Sequence, residues 1–298
     1  MISAVIVAYY PEIVLFEQLM CSVIHQVDRV IIVDNTPEPF EKIDSFIARY
    51  FGVLLYLHLG KNAGIASAQN IGIRRSLELG CTHVMFLDQD STPAPDMVKK
   101  LISEEEHLIR AGNRVAAVGP LFVENKTGEP SHAIKHGFLK VNRIRINPAC
   151  NEAQESDYII ASGALVRISV LNQIGLMLED LFIDWVDVEW GLRAKWNGYR
   201  SFIIPHAVLN HNLGDRVIRI YGRNVALHSD IRHYYLVRNA VYLLRVKTMG
   251  CRWRVLTFLK IPLYVLFYSW HSEHPIRSVQ ILMRALTDGI LGNLGPLN

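Results

Sequence analysis

The stretch Thr82-His83-Val84-Met85-Phe86-Leu87-Asp88-Gln89-Asp90-Ser91-Thr92-Pro93 decides the reading of this chain. Its first six residues form a short, mostly apolar run between Gly80 and a Ser-Thr-Pro turn. That is the pattern of a buried strand. Two carboxylates then follow two positions apart, so both stand at the carboxyl edge of a sheet. In open α/β sheets that edge is where ligands bind. Paired acids there repel unless a cation lies between them, and oxygen-only ligands suit Mg²⁺ or Mn²⁺ together with substrate phosphates. The same pattern also occurs in solvated turns, so the metal reading depends on what surrounds it.

Outward from this run, strand and helix alternate. Ile2–Ala8, Arg29–Val33, Val53–His58, Val84–Leu87 and Val115–Val118 read as strands. Pro11–Gln26, Phe40–Tyr50, Gly64–Leu79 and Asp96–Ala111 carry helical apolar spacing. Such alternation with short loops predicts an α/β fold, a mainly parallel sheet with helices on both faces. Tyr9, Asp34, Lys61-Asn62, Asp88 and Asp90 all fall at carboxyl ends of these strands, where they can converge on one crevice. Gly60-Lys61-Asn62-Ala63-Gly64 opens a helix and offers backbone N–H groups to an anion. It is neither a Walker A loop nor a G-x-G-x-x-G loop, and turn chemistry alone also explains its glycines. The segment from Glu124 to Glu155 is polar and reads as a long loop. Tyr158–Ala161 and Leu165-Val166 read as strands flanking Ser162-Gly163-Ala164, where Gly163 permits close approach of a sugar or marks a bulge.

The chain has 298 residues and half of them are apolar, with 5 Trp, 12 Tyr and 11 Phe, so it can bury a core and is not disordered. The net charge of +3 is unevenly placed. From Asp215 to Asn298 there are twelve Lys/Arg against four Asp/Glu, and the remainder is net acidic. A basic, aromatic-rich tail suits nucleic acid, anionic lipid or a phosphorylated substrate. Cys21, Cys81, Cys150 and Cys251 lack metal-type spacing, which fits reduced thiols in a cytoplasm. The start has no signal-peptide pattern. The apolar run Ile261–Trp270 is too short to span a bilayer.

Together, Val5-Ile6-Val7-Ala8-Tyr9, Val33-Asp34-Asn35, Asn62-x-Gly64-x-Ala66-x-Ala68-x-Asn70-x-Gly72 and Asp88-x-Asp90 resemble the inverting nucleotide-sugar glycosyltransferases of family two, which have the GT-A fold. Ser162-Gly163-Ala164, Phe182–Arg193, His211 and Tyr234–Asn239 look like the rhamnosyltransferase branch. The resemblance runs from residue 3 to about residue 245. It implies a donor nucleotide-sugar site of Tyr9, Asp34, Asn62, Gly64, Asn70 and Asp88, to which Gly163 is added as a point of close approach; Arg238, after Tyr234-Tyr235 on a helical pattern, either faces the diphosphate or acceptor or lies on an exposed basic helix face. It implies a divalent metal, Mg²⁺ or Mn²⁺, on Asp88 and Asp90, with His211 as an additional metal or phosphate contact.

The second chemical centre is Asp184-Trp185-Val186-Asp187-Val188-Glu189-Trp190. Inverting transfer needs one carboxylate to take the acceptor hydroxyl proton. The family pattern aligns Asp187 with that base. Asp184 and Glu189 are the other catalytic candidates, and on a helix Asp184 and Asp187 would be surface neighbours. The bland alternative is an acidic helix N-terminus. The resemblance further implies dTDP-L-rhamnose as donor and a lipid-linked glycan of bacterial O-antigen or capsule as acceptor, at the inner face of the inner membrane. Nucleic acid is not an expected partner. Rivals are a UDP-hexose transferase, a sugar-phosphate nucleotidyltransferase and a non-enzymatic membrane-bound module. The Tyr9-Tyr10-Pro11 that follows the first strand argues against the nucleotidyltransferase. The expected organisation is a GT-A domain over 1–228 and a helical extension over 229–298. In that extension Ile231–Val246, Trp253–Trp270 and Pro275–Leu291 read as helices. The middle one, rich in aromatics with Arg254 and Lys260, suits a membrane interface or a packed core helix.

Overall fold

The computed structural model describes residues 1–124, 130–137, 140–211, 216–220 and 223–297. Its first half runs β1 Ile2–Ala8, α1 Ile13–Val23, β2 Arg29–Asp34, α2 Ile43–Arg49, β3 Leu54–His58, α3 Ile65–Glu78 and β4 His83–Asp88. Next come β5 Ser91–Pro93, α4 Met97–Arg110, β6 Val115–Glu124, β7 His132–His136, β8 Val141–Arg145, β9 Gln154–Ser156, β10 Leu165–Arg167 and α5 Ile168–Ile174. The last part holds α6 Val186–Trp196, β11 Arg200–His211, β12 Arg216–Ile220, β13 Arg223–Leu227, α7 Asp230–Leu243, α8 Cys251–His271 and α9 Pro275–Leu291. The expected strands and helices of the first half are all present, with ends shifted by one to three residues at most sites, where caps and turns compete.

The central sheet has the order β3-β2-β1-β4-β10-β6-β11-β5, with β9 added on β11. β3, β2, β1 and β4 pair in parallel, as do β6 and β11. Register then builds the site. Ala8 lies opposite Asp34, Asp34 opposite His58, and Val7 opposite Asp88. The residues that follow these strands therefore reach one edge at one level. The apolar faces of α1, α2 and α4 bury Phe16, Phe46 and Leu101 on one side of the sheet. Ala66, Leu171 and Trp190 of α3, α5 and α6 pack on the other. Near-continuous apolar strands such as Ala4–Ile6 and Val30–Val33 are what a sheet covered on both faces requires.

Two expectations are corrected. The polar segment before Glu155 is not one loop: β7 and β8 form an antiparallel hairpin and β9 pairs with β11. These strands are short and mostly polar, with only Ala133 and its partner Ile144 packed on the core, so they carry little period-two hydrophobic signal. Tyr158–Ala161 is not a strand. Its chain runs past the sheet and brings Ala161 to the site. The sheet is mainly parallel as expected, and the three-residue β10, antiparallel between β4 and β6, makes it mixed.

The tail folds into the three expected helices. α7, α8 and α9 share a core of Tyr234, Val237, Tyr268, Leu282 and Ala285. That core includes Phe182 from the segment before α6, with its ring stacked on Tyr235 at 4.9 Å. The tail thus packs directly on the part of the chain that carries the second acid cluster.

Candidate functional site

A cleft of about 640 Å³ opens at the carboxyl edge of β1, β2 and β4. Tyr9, Asn62, Gly64, Asp88, Asp90, Asp184 and Asp187 all line it, so the two acid clusters of the sequence face one space.

One wall is made by strand ends. Asp88 is the last residue of β4 and Asp90 stands in the following turn. Gln89, between them, clasps the end of β1: its Oε1 accepts from the Tyr9 N–H at 2.8 Å, and its Nε2 donates to the Tyr9 carbonyl at 3.1 Å. From the other side the Ser162 hydroxyl accepts from the Asp88 N–H at 3.2 Å and pairs with the Ser91 hydroxyl at 2.6 Å. The turn that presents both carboxylates is thereby fixed at two points. Asn35 donates to Asn62 Oδ1 at 3.0 Å and accepts from the Ala63 N–H at 2.8 Å, so two side chains shape the loop leading into α3.

The opposite wall is residues 180–187. Phe182, Asp184 and Trp185 all have left-handed backbones, with φ of 65°, 62° and 66°. Such backbone is costly for side chains of this size and persists only where the surroundings enforce it. The enforcing contacts are specific. Asn239 of α7 donates to the carbonyls of Leu181, Ile183 and Asp184 at 2.9, 2.8 and 3.2 Å. Arg238 donates to Leu181 O at 3.0 Å and Asp180 O at 3.4 Å. The Trp185 indole donates to Leu236 O at 2.9 Å. On the far side, the Phe182 carbonyl accepts from the Ile65 N–H at 2.7 Å. Gly64 has φ of 84°, and a Cβ there would sit 2.6 Å from the Phe182 ring, so only glycine lets the two walls meet.

Asp187 lies in the first turn of α6, while Asp184 precedes the helix, so they are not helical neighbours as the spacing suggested. Asp187 accepts from the Val188 N–H at 2.8 Å and the Ala161 N–H at 3.3 Å. Burial pushes its pKa up to about 6, and the charges of Asp88 and Asp184 push the same way against those two backbone donors. Asp184 faces Arg232 at 3.4 Å. A carboxylate with a raised pKa in a shared cleft can accept a proton near neutral pH.

Other sequence candidates are placed elsewhere. Asp34 is fully buried beneath the cleft wall. Its carboxylate accepts from the Thr36 N–H and hydroxyl at 3.0 and 2.5 Å, the Tyr56 hydroxyl at 2.5 Å and the Phe40 N–H at 3.4 Å, which builds the turn after β2. Asn70 is buried and bonds Met177 O, Met177 N–H and Glu179, tying α3 to the acid-bearing segment. Gly163 lies beneath Pro120, where a Cβ would approach to 2.5 Å; its neighbour Ser162 lines the cleft instead. Glu189 points away from the cleft and forms a buried ion pair with Arg193 at 2.9 Å. Arg238 is 1% exposed and positions the opposite wall rather than lining the cleft. The backbone of His211 ends β11, in register with Ser91, and its side chain lies outside what is described. The cleft also takes in Asn35, Gln69, Trp185, His228 and Arg232, which the sequence reading did not assign to it.

Asp88 and Asp90 fit a hard divalent cation. Both are oxygen donors in one cleft, and Asp187 feels the charge of Asp88. Among the described residues no group of three or more His, Cys, Asp or Glu side chains is gathered for a metal. Two carboxylates that leave the remaining positions to a diphosphate match the way Mg²⁺ is commonly held.

A family model described as glycosyl transferase family 2 matches residues 4–175. The dTDP-rhamnosyl transferase RfbF of Shigella flexneri is 38% identical over 247 residues, 82% of this chain and 80% of that protein. Among solved structures, GalNAc-T7 with UDP, GalNAc and Mn²⁺ superposes with a TM-score of 0.67 at 15% identity, covering 98% of this chain and 57% of that one. TarS 1–349 of S. aureus in complex with UDP-GlcNAc does so with a TM-score of 0.61 at 14% identity, over 97% and 80%. At such identities the solved structures speak to the fold alone, and the present chain spans just over half of the GalNAc-T7 chain.

Proposed function

Because the chain belongs to glycosyl transferase family 2, in its rhamnosyltransferase branch, we propose that it transfers L-rhamnose from dTDP-L-rhamnose, with inversion, to a lipid-linked glycan of bacterial O-antigen or capsule synthesis. The observation that carries this reading is the meeting of Asp187, held near pKa 6, with Asp88 and Asp90 in one cleft.

In this reading the nucleoside of the donor lies against Tyr9 and the Asn35–Asn62 pair. Asp88 and Asp90 would hold Mg²⁺ or Mn²⁺, and that cation would neutralise charge on the departing diphosphate. Arg232, across the cleft, adds positive charge on the same side as Asp184. Asp187 accepts the proton of the acceptor hydroxyl as that oxygen attacks the anomeric carbon from the face opposite the nucleotide, and this gives inversion. Asp184 keeps the local field negative and so helps keep Asp187 basic.

The tail supports a location at a lipid surface. Among the described residues no helix is long and apolar enough to cross a membrane. Along α8, however, Val255, Phe258, Leu259, Leu263, Leu266 and Trp270 are all exposed on one stripe. An exposed apolar stripe of this kind, with Arg252 and Arg254 at the start of the same helix, suits contact with the surface of an anionic bilayer. Residues 229–298 then act as an extension of the catalytic unit of 1–228 that docks the enzyme beside its acceptor.

The test is turnover. dTDP-L-rhamnose and a panel of UDP-hexoses, each with Mg²⁺ or Mn²⁺, are incubated with the protein, and nucleotide release is followed. Release of dTDP from dTDP-L-rhamnose supports the reading. Turnover of UDP-hexoses alone overturns the donor assignment, and a protein that neither binds nor turns over any nucleotide sugar overturns the activity.

A further inference from the structure

A second large cleft, about 730 Å³, lies between the β7–β8 hairpin, Tyr158 and the inner side of α8. It meets the donor cleft at Trp185, which lines both. Tyr158 marks the same border: burial, then the charge of Asp187, raises its phenol pKa. An acceptor hydroxyl must reach Asp187 from a side the donor does not fill, and this cleft supplies such a side.

Its chemistry is specific. Lys140, Arg143 and Lys260 line it together with His136, and no carboxylate does among the described residues. Burial and the charge of Arg143 both lower the pKa of the Lys260 amine, so two cations face one partly dry space. An anion between them would relieve that repulsion. Tyr158, Trp185, Trp253 and Tyr264 supply rings against which the apolar faces of sugars can pack, and Trp185 and Trp253 already meet edge to face at 5.4 Å. His136 is held on Asp157 at 2.8 Å behind the hairpin.

The position of this cleft on α8 adds an amphiphile's geometry. Trp253, Leu256, Thr257, Lys260 and Tyr264 face the cleft at helical spacing. The exposed apolar stripe, from Val255 to Trp270, occupies the other side of the same helix. One helix therefore separates a basic, aromatic trough from an apolar outer surface.

We propose that this second cleft is the acceptor subsite, and that Arg143 and Lys260, with Lys140 at the rim, hold the phosphate or diphosphate that joins an acceptor glycan to its apolar carrier. The glycan then lies along the aromatic rings toward Asp187, and the carrier chain leaves along the stripe of α8. The proposal rests on the glycosyl-transfer reading above and names the acceptor side of that site.

The probe is citronellyl diphosphate, a short soluble isoprenoid diphosphate, titrated into the full chain in EDTA, where the divalent-dependent donor site does not hold a diphosphate. Arg143→Gln and Lys260→Gln should each weaken its binding about tenfold or more, the range of a charge-assisted contact. Titration of dTDP with Mn²⁺ into separate EDTA-free samples of each variant reports that the variants are folded. In the unaltered protein, citronellyl diphosphate should protect Lys260 from acylation by acetic anhydride, read by peptide mass. Inorganic pyrophosphate should bind more weakly than citronellyl diphosphate. Unchanged affinity in both folded variants, displacement by dTDP, glucuronate binding as tightly as citronellyl diphosphate, or Lys260 left unprotected would each overturn the proposal. Binding of dTDP-L-rhamnose with Mn²⁺ is measured separately. Its absence counts against the glycosyl-transfer reading and leaves the citronellyl diphosphate result standing.

Discussion

The two walls of the donor cleft are built on different principles. The wall carrying Asp88 and Asp90 is set by the register of parallel strands, with Val7 opposite Asp88 and Ala8 opposite Asp34. The wall carrying Asp184 and Asp187 is irregular chain in left-handed backbone, suspended from Arg238 and Asn239 of α7. Sheet register is local and rigid, so grip on the nucleotide diphosphate should survive damage to the tail. The base side depends on residues more than fifty positions away in the chain, down to the Gly295 carbonyl that Arg238 binds and the Asp180 carbonyl that accepts from the Gly295 N–H at 2.9 Å.

The largest effect is expected on the strand-end wall. Asp90→Ala should abolish divalent-dependent binding of dTDP-L-rhamnose while leaving the fold intact, read by calorimetry with and without Mn²⁺. Full activity in excess EDTA would break the assignment of that wall to metal and diphosphate. On the other wall, Asp187→Asn keeps size and removes basicity. Turnover should fall by about 10²–10⁴-fold, the range of positioned general-base catalysis, with donor affinity little changed. If Asp184→Asn is dead while Asp187→Asn turns over near normally, the base is the neighbour.

Two further variants separate chemistry from support. Glu189→Gln removes one partner of the buried pair with Arg193, whose guanidinium also holds the carbonyls of Ile174 and Leu176 at 2.7 Å. Loss of a partner from a buried pair costs up to about 3–5 kcal/mol, so the melting temperature should drop sharply. The catalytic rate of the folded fraction should change far less than in Asp187→Asn. Asn239→Ala strips one donor from three loop carbonyls and should cost about 1–3 kcal/mol of stability. It should lower kcat with little effect on dTDP affinity, and equal loss of both would erase the distinction between the walls. The smallest effect is at the surface. Cosedimentation with anionic vesicles should weaken as salt rises, because exposed charge attraction is screened over about 8–10 Å at physiological ionic strength.

The strand-end wall was legible in the sequence, because apolar runs ending in acids report both strand and edge without knowledge of partners. The other wall was legible only in part. The family pattern points to Asp187, which lines the cleft, whereas Glu189 and Asp34 lie outside the residues that line it, and local signals for a supporting place are present in the sequence. Glu189 and Arg193 stand four apart on a helix, the spacing of an ion pair. Asp34 and Thr36 stand two apart, the spacing of a side chain that caps its own turn. Arg238 could not be read, since an arginine on a helical pattern gives no sign that it will be buried under a distant loop. The hairpin of β7 and β8 escaped for a related reason: its strands take their order from pairing and not from a hydrophobic stripe.

The most direct measurement is the pH dependence of kcat/KM for dTDP-L-rhamnose and acceptor, which reports the groups of the free enzyme. Asp187 must be ionised to accept a proton, and burial has raised its pKa above the ordinary carboxylate value to about 6. Protonation on the acid side of that value therefore removes the base. The account predicts that kcat/KM is level above about pH 7 and falls as pH drops through 6, approaching tenfold per unit, and that Asp187→Asn loses this limb along with most of its rate. A kcat/KM that stays level down to pH 4.5, or an acid limb that persists unchanged in Asp187→Asn, would contradict it.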